Sequence, residues 1–282
     1  MEKYPKKKAN NMKKIEDLMR FKNLTKLMKR ALLEIYRGRP VNAVDKSTIK
    51  ALRRRELIDV EITSFGKRTA ISMMPLKIQC EELSLELETI KLIYTGRPES
   101  ALLSYYKSRG YVGVSCESIG IFTVLKALML NKLVKYNSFG EREDAITRGL
   151  QAQFVILTSN IDEIILEISS VTKLEYMQNF KEIIHLDILA LDHPELSLEF
   201  ASAMYDSISN DLFIEVARKI SESPYDYRNG WPDLTLIKDK TVLFVEVKTS
   251  DKLHESQLIT IPIMNHILPF KFSVCKLTKC SP

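Results

Sequence analysis

Cysteine and histidine are scarce in this sequence, four of each, and neither falls into a ligand spacing. Cys80, Cys116, Cys275 and Cys280 form no CxxC pair, which argues against a zinc cluster or a disulfide framework and leaves free thiols. His185, His193, His254 and His266 form no HxH or HxxxH pair, which argues against a histidine-based metal centre. Long apolar runs are missing too. The stretch IFTVLKALML at 121–130 is broken by Lys126 and has 10 residues, against the ~20 that a bilayer span requires. The opening MEKYPKKKANNMKK is not followed by an apolar signal core, so a soluble, intracellular chain that is not secreted and has no membrane partner is expected.

Positive charge is present and unevenly placed. With 282 residues, 45% hydrophobic and 28% charged, the chain can bury a core as one large or two modest domains. Residues 1–55 hold 18 Lys and Arg against 5 Asp and Glu, a net of +13, so residues 56–282 carry 6 − 13 = −7. Such asymmetry points to a polyanion-binding head on a near-neutral or acidic body. Residues 1–20 read as a basic, flexible arm.

A small module is expected over 21–75. LTKLMKRALLEIY places apolar residues at 24, 27, 28, 31, 32 and 35, a helical spacing closed by Gly38 and Pro40. Asp45 is a candidate N-cap for a second helix, with Ile49, Leu52 and Leu57 inward and Lys46, Lys50, Arg53 and Arg54 outward; Arg55 adds to the basic face. DVEIT, a turn at Ser64-Phe65-Gly66-Lys67, and RTAISM read as a hairpin. Helices followed by a hairpin suggest a winged-helix-like module, whose basic surface would neutralise phosphates; a plain helical subdomain with a solvated basic face is the other reading. From 76 to 222, CEELSLELETIKLIY, ESALLSYYKSRGY, FTVLKALMLNKLV and the region 144–221 all show helical spacing.

The chemistry concentrates in NGWPDLTLIKDKTVLFVEVKTSDKLHESQ, residues 229–257. Gly230 supplies a turn, Leu234 to Ile237 start a strand, Lys238-Asp239-Lys240 is a polar turn, and TVLFVEVKT is a second strand. Period two puts Glu246 and Lys248 on one face, and the hairpin brings Asp233 to them. Two adjacent carboxylates repel unless a cation sits between them, and Mg²⁺ takes one or two protein carboxylates alongside water and phosphate. The alternative is a cross-strand salt bridge on a surface hairpin.

Pro232-Asp233 followed by Glu246-Val247-Lys248 matches the PD-(D/E)xK nuclease signature. RNGWPDLTLI and FVEVKTSDKLHESQ together resemble the VRR-NUC domain, in which GxPDL, VEVK, an Asp-Arg/Lys-Leu segment and a glutamine follow in order. Gln257 stands at the last of these, and Arg228 at a basic position before the turn. Upstream, SALLSYYKSRGYVGVSCESIGIFTVLKALML resembles the segment of Fanconi-associated nucleases that carries one more acidic residue; Glu117 stands there, with Ser118 where the family usually has glycine.

Beside the winged-helix-like module and the helical region 76–222 read from the residue pattern, the resemblance implies a VRR-NUC core at 223–282 with a restriction-endonuclease-like mixed sheet flanked by helices, so that the chain as a whole is expected to be α/β (α+β). It implies Mg²⁺ or Mn²⁺ held by Asp233, Glu246, Glu117 and the Val247 carbonyl, with Lys248 as the catalytic lysine and Gln257 beside it. The activity implied is structure-selective hydrolysis of DNA near 5′ flaps or single-strand/duplex junctions in repair, with flap or branched DNA as partner. DNA contacts are expected from Lys46, Lys50, Arg53, Arg54, Arg55 and Arg228. A resolvase-like enzyme or general exonuclease on the same core, or a non-catalytic winged-helix DNA binder, remain open at this point. The expected location is cytoplasm or nucleoid in a prokaryote or virus, and nucleus in a eukaryote.

Overall fold

The first helix begins where its cap dictates. Thr25 accepts a hydrogen bond from the Met28 amide, and α1 (Lys26–Tyr36) buries Met28, Ala31, Leu32 and Ile35 on one stripe. The structure is a computed structural model that describes residues 24–280, so the basic arm expected at 1–20 lies outside the described residues. These residues form two compact units that divide between Gln79 and Cys80.

In the first unit a 3₁₀ turn, Val41–Ala43, leads to α2 (Lys46–Arg53), capped by Asp45 accepting from the Thr48 amide at 2.9 Å. Ile49, Leu52 and Leu57 are buried while Lys46, Lys50, Arg53 and Arg54 are exposed, as the spacing requires. The hairpin expected over 59–73 does not form. A single bridge joins Ile58 to Ile62, and Ser64–Ser72 is a helix, α3. Thr63 decides this: its hydroxyl accepts from the Gly66 amide at 3.0 Å and donates to the Glu56 carbonyl at 2.7 Å, capping α3 and tying it to the preceding turn. Gly66 is needed there because a Cβ would fall 1.9 Å from the Leu57 carbonyl oxygen. What the sequence suggests as a wing is therefore one short turn followed by a helix. The next helix, α4, spans Leu76–Glu82.

The second unit is built on a five-stranded mixed sheet, bearing out the α/β expectation. Its order is β1-β5-β4-β3-β2, with β1 (Glu86–Leu92), β2 (Val112–Ser115), β3 (Leu234–Lys238), β4 (Thr241–Lys248) and β5 (Lys271–Lys279). β5 runs parallel to both β1 and β4, and the other two pairings are antiparallel. ELETIKL, which reads as helix, is thus an edge strand. Ser84 at φ +54° stops α4, and pairing with β5 outweighs the local helical spacing. The β3–β4 turn has two residues, Asp239 and Lys240, both at positive φ, the twist a tight hairpin demands.

Between β1 and β2, α5 (Pro98–Lys107) packs Leu102, Leu103 and Tyr106 on one face of the sheet, against Leu234, Leu236, Val245, Val247, Cys275 and Leu277. After β2 comes a helical layer: α6 (Ser118–Tyr136), α7 (Arg142–Thr147), α8 (Leu150–Ile156), α9 (Ile161–Leu166), α10 (Lys173–Leu186), α11 (Ile188–Leu191), α12 (Leu198–Ser207) and α13 (Asn210–Glu222). α6 is buried nearly all round. Its Lys126, the charge that breaks the apolar run, bonds Asp187 at 2.5 Å and the Ile146 carbonyl at 2.6 Å, so the buried ammonium is satisfied. α14 (Glu255–Ile267) joins β4 to β5. No helix among the described residues is long and apolar enough to cross a membrane.

Candidate active site

Register builds the site. Leu234 opposes Val245, so the next step along the hairpin places Asp233 beside Glu246, and alternation puts both with Lys248 on the face turned away from α5. The Val247 amide donates to Asp233 Oδ2 at 2.7 Å, which locks the carboxylate across the hairpin mouth. Lys248 Nζ lies 3.0 Å from Glu246 Oε1 and 3.5 Å from Asp251 Oδ2. Gln257 completes the set. Its side-chain oxygen accepts from the His254 amide at 2.9 Å, so its NH₂ points at Glu246 Oε1, 2.6 Å away. Gly230, at φ +80°, lets the turn before β3 press against the start of α14.

Burial sets the electrostatics. Glu246 and Lys248 are 1% and 4% exposed, which excludes the surface salt bridge and makes this a desolvated pair. Burial, then the neighbouring Asp233 charge, pushes the Glu246 carboxyl up to about 8. Asp233 is raised to about 6, again by burial first, with Glu99 and Glu117 adding to it against the Val247 hydrogen bond. Burial draws the Lys248 ammonium down, but Glu246, Asp251 and Asp233 outweigh it and hold it above the ordinary lysine range. The second oxygen of Glu246, Oε2, is buried without a hydrogen-bond partner. An orphaned carboxylate oxygen beside a second carboxylate fits a hard divalent cation, whose charge would reverse both upward shifts.

Glu117 lies at the rim. It precedes α6 with φ +46° and ψ −126°, its amide donates to the Asp233 carbonyl at 3.4 Å, and its side chain is exposed. Among the described residues no three His, Cys, Asp or Glu side chains are gathered closely enough to hold a metal ion, so Glu117 stands apart from the other two carboxylates. Sequence reasoning missed Glu99. Its charge is felt by Asp233 more strongly than that of Glu117, yet in the sequence it reads only as an ordinary acid in a helix's first turn.

The expected DNA contacts divide. Lys46, Lys50, Arg53 and Arg54 line an open groove of about 1220 Å³ within the first unit, floored by Ile35, Val44, Ile49 and Ile62. Arg55 does not line it; half-buried, it donates to the Ala51 carbonyl at 3.0 Å. Arg228 is half-buried in the turn that leads from α13 to Gly230, at the approach to the second unit's site.

No protein-family model matches the chain, and no curated protein is similar to it in sequence. Among the crystal structures similar in fold are two of paFAN1. One is paFAN1 bound to 2-nucleotide 5′-flap DNA with a gap, at TM-score 0.54 and 13% identity, covering 98% of this chain and 54% of that one. The other is paFAN1 bound to 1-nucleotide 5′-flap DNA with a gap, at TM-score 0.55 and 14% identity, covering 95% and 52%. The chain shares a fold with paFAN1. It spans about half the length of that protein.

Proposed function

We propose that this chain is a metal-dependent DNA nuclease of the VRR-NUC type that hydrolyses phosphodiester bonds near 5′ flaps or single-strand/duplex junctions, a repair activity. The observation that carries this reading is the orphaned, buried Glu246 Oε2 beside Asp233 and a charged Lys248, an arrangement that costs stability until a cation enters. The fold shared with paFAN1, whose structures hold flap DNA, supports the DNA substrate.

Asp233 and Glu246 would hold Mg²⁺ or Mn²⁺, with the Val247 carbonyl and a Glu117 side chain turned inward as further ligands. The bound ion supplies Lewis acidity toward the scissile phosphate and a more acidic water. Lys248, whose charge its carboxylate neighbours favour, would orient the attacking water and neutralise charge developing on the phosphoryl oxygens. Gln257 fixes one Glu246 oxygen so that the other stays free. The test is a panel of end-labelled 5′-flap, 3′-flap, single-stranded and four-way-junction DNA with Mg²⁺ or Mn²⁺. Cleavage of the flap that stops with chelator and in Lys248→Ala is expected; wild-type protein that binds flap DNA and cuts nothing in either metal ends the reading.

The first unit would supply sequence-independent affinity through its groove. Replacing Arg53 and Arg54 with Gln removes two exposed cations from it. The salt slope of DNA binding is expected to flatten by about 0.9 for each phosphate no longer neutralised, with cleavage of short substrates retained. Fluorescence anisotropy over a salt series reads this, and an unchanged slope removes the groove from the interface.

A further inference from the structure

The strand ends opposite the site carry a second charged feature. At the tip of the β3–β4 hairpin, Lys238 Nζ donates to the Arg109 carbonyl at 2.9 Å and lies 5.4 Å from the Tyr111 ring centroid. The Arg109 guanidinium lies 3.4 Å from the Tyr105 ring centroid. Lys107 and Lys240 are exposed on the same two segments, the C-terminal end of α5 and the hairpin turn.

Like Lys91, Lys181, Arg218, Lys276 and Lys279 of this unit, these cations have no counter-ion among the described residues; what sets them apart is that four of them gather at the hairpin tip and the adjoining end of α5. Elsewhere in this unit Lys132, Lys135, Arg142, Arg148, Lys173 and Lys271 are each ion-paired to a carboxylate. Among the described residues Lys107, Arg109, Lys238 and Lys240 form no ion pair, and two of them rest on tyrosine rings instead. The outer face of α5 continues the pattern toward the site: Ser100, Ser104, Lys107 and Ser108 are exposed along it. Glu99, whose charge reaches Asp233, marks the helix end nearest the site. The site faces away from α5 but lies beside exposed Glu117, Thr249 and Asp251 at the strand ends where α5 begins.

We infer that the hairpin tip and the C-terminal end of α5 form a phosphate-backbone contact for duplex DNA flanking the cleaved position, a refinement that rests on the nuclease reading. Unpaired cations on aromatic platforms with flanking hydroxyls suit phosphates and carry no base information. α5 has 10 residues, which at 1.5 Å per residue spans about 15 Å, or about four to five base pairs at 3.4 Å per step.

The full chain is tested by fluorescence anisotropy over a salt series, with Ca²⁺ replacing Mg²⁺ so that DNA is bound uncut. One variant replaces Lys107, Arg109, Lys238 and Lys240 with Gln. A second, Lys107→Glu with Lys240→Glu, alters only two exposed side chains that form no ion pair among the described residues, and guards against misfolding of the first. On a flap with a long duplex flank, the salt slope is expected to fall by about 0.9 for every phosphate left without its cation, thus by roughly two to four in the Gln variant. On a flank shorter than about four base pairs the variants should match wild type. An unchanged slope on the long flank, or an equal fall on the short one, overturns the proposal. The parent reading is checked separately by wild-type cleavage in Mg²⁺ or Mn²⁺: if that fails while the length-dependent slope change persists, the contact stands without the nuclease.

Discussion

Asp233→Asn is expected to lose cleavage by about a thousandfold, roughly 4 kcal/mol of transition-state stabilisation, while making the metal-free protein more stable at neutral pH. The two effects share one cause. Asp233 titrates at about 6 against an ordinary 3.8, so the folded state binds its proton more tightly than the unfolded chain does. A carboxyl raised in this way favours folding below its unfolded value, and that contribution disappears as pH rises through about 6. At pH 8 the charged group therefore costs about 3 kcal/mol. Asparagine removes the charge while its carbonyl still accepts the Val247 amide; being polar itself, it recovers about 2 kcal/mol of that cost. In chelator the variant should melt about 4–8 °C above wild type at pH 8, with the gap closing toward pH 4. Adding Mg²⁺ should raise only the wild-type midpoint. Equal midpoints at pH 8 in chelator would mean that the carboxylate is not held at electrostatic cost.

Gly230→Ala is expected to be the most damaging single methyl in the second unit's candidate site. The residue sits at φ +80°, and a Cβ there would fall 2.2 Å from the Ser256 carbonyl oxygen and 2.7 Å from the Gln257 amide nitrogen. Neither atom is a flexible side-chain end. The φ strain and forced backbone shift together should cost about 3 kcal/mol or more. The start of α14 must move, which carries Gln257 off Glu246. Differential scanning calorimetry should show a fall of roughly 6–12 °C, and cleavage should drop even below the new melting point. A variant with the wild-type midpoint and rate would show that the turn can relax without disturbing the helix.

The hairpin was legible because its determinants are local. Turn residues, alternation and the PD…EVK spacing lie within 229–257, and Asp233, Glu246, Lys248 and Gln257 meet as that segment suggests. β1 was not legible. ELETIKL has helical spacing, and its strand state is imposed by β5, far away in sequence. The misread hairpin at 59–73 has the opposite cause: Thr63 and Gly66 hold a local helix start that period-two counting overlooks. Burial of the Glu246–Lys248 pair was also out of reach, since it depends on elements packed over the strand rather than on residues in it.

The sheet order has a consequence for how the chain reaches its folded state. β5 lies between β1 and β4, and Glu86 pairs with Ser273, so the first strand waits for roughly 187 residues of chain before its neighbour exists. The β4–β3–β2 ribbon, with the candidate site's hairpin inside it, can assemble before that. Closing so long a loop is entropically slow, and a parallel pairing is the slowest kind to find. Until β5 arrives, β4 presents an open, apolar edge bearing VLFVEV, a template for pairing with other chains. The step that completes the sheet is thus also the one that protects the chain from aggregation.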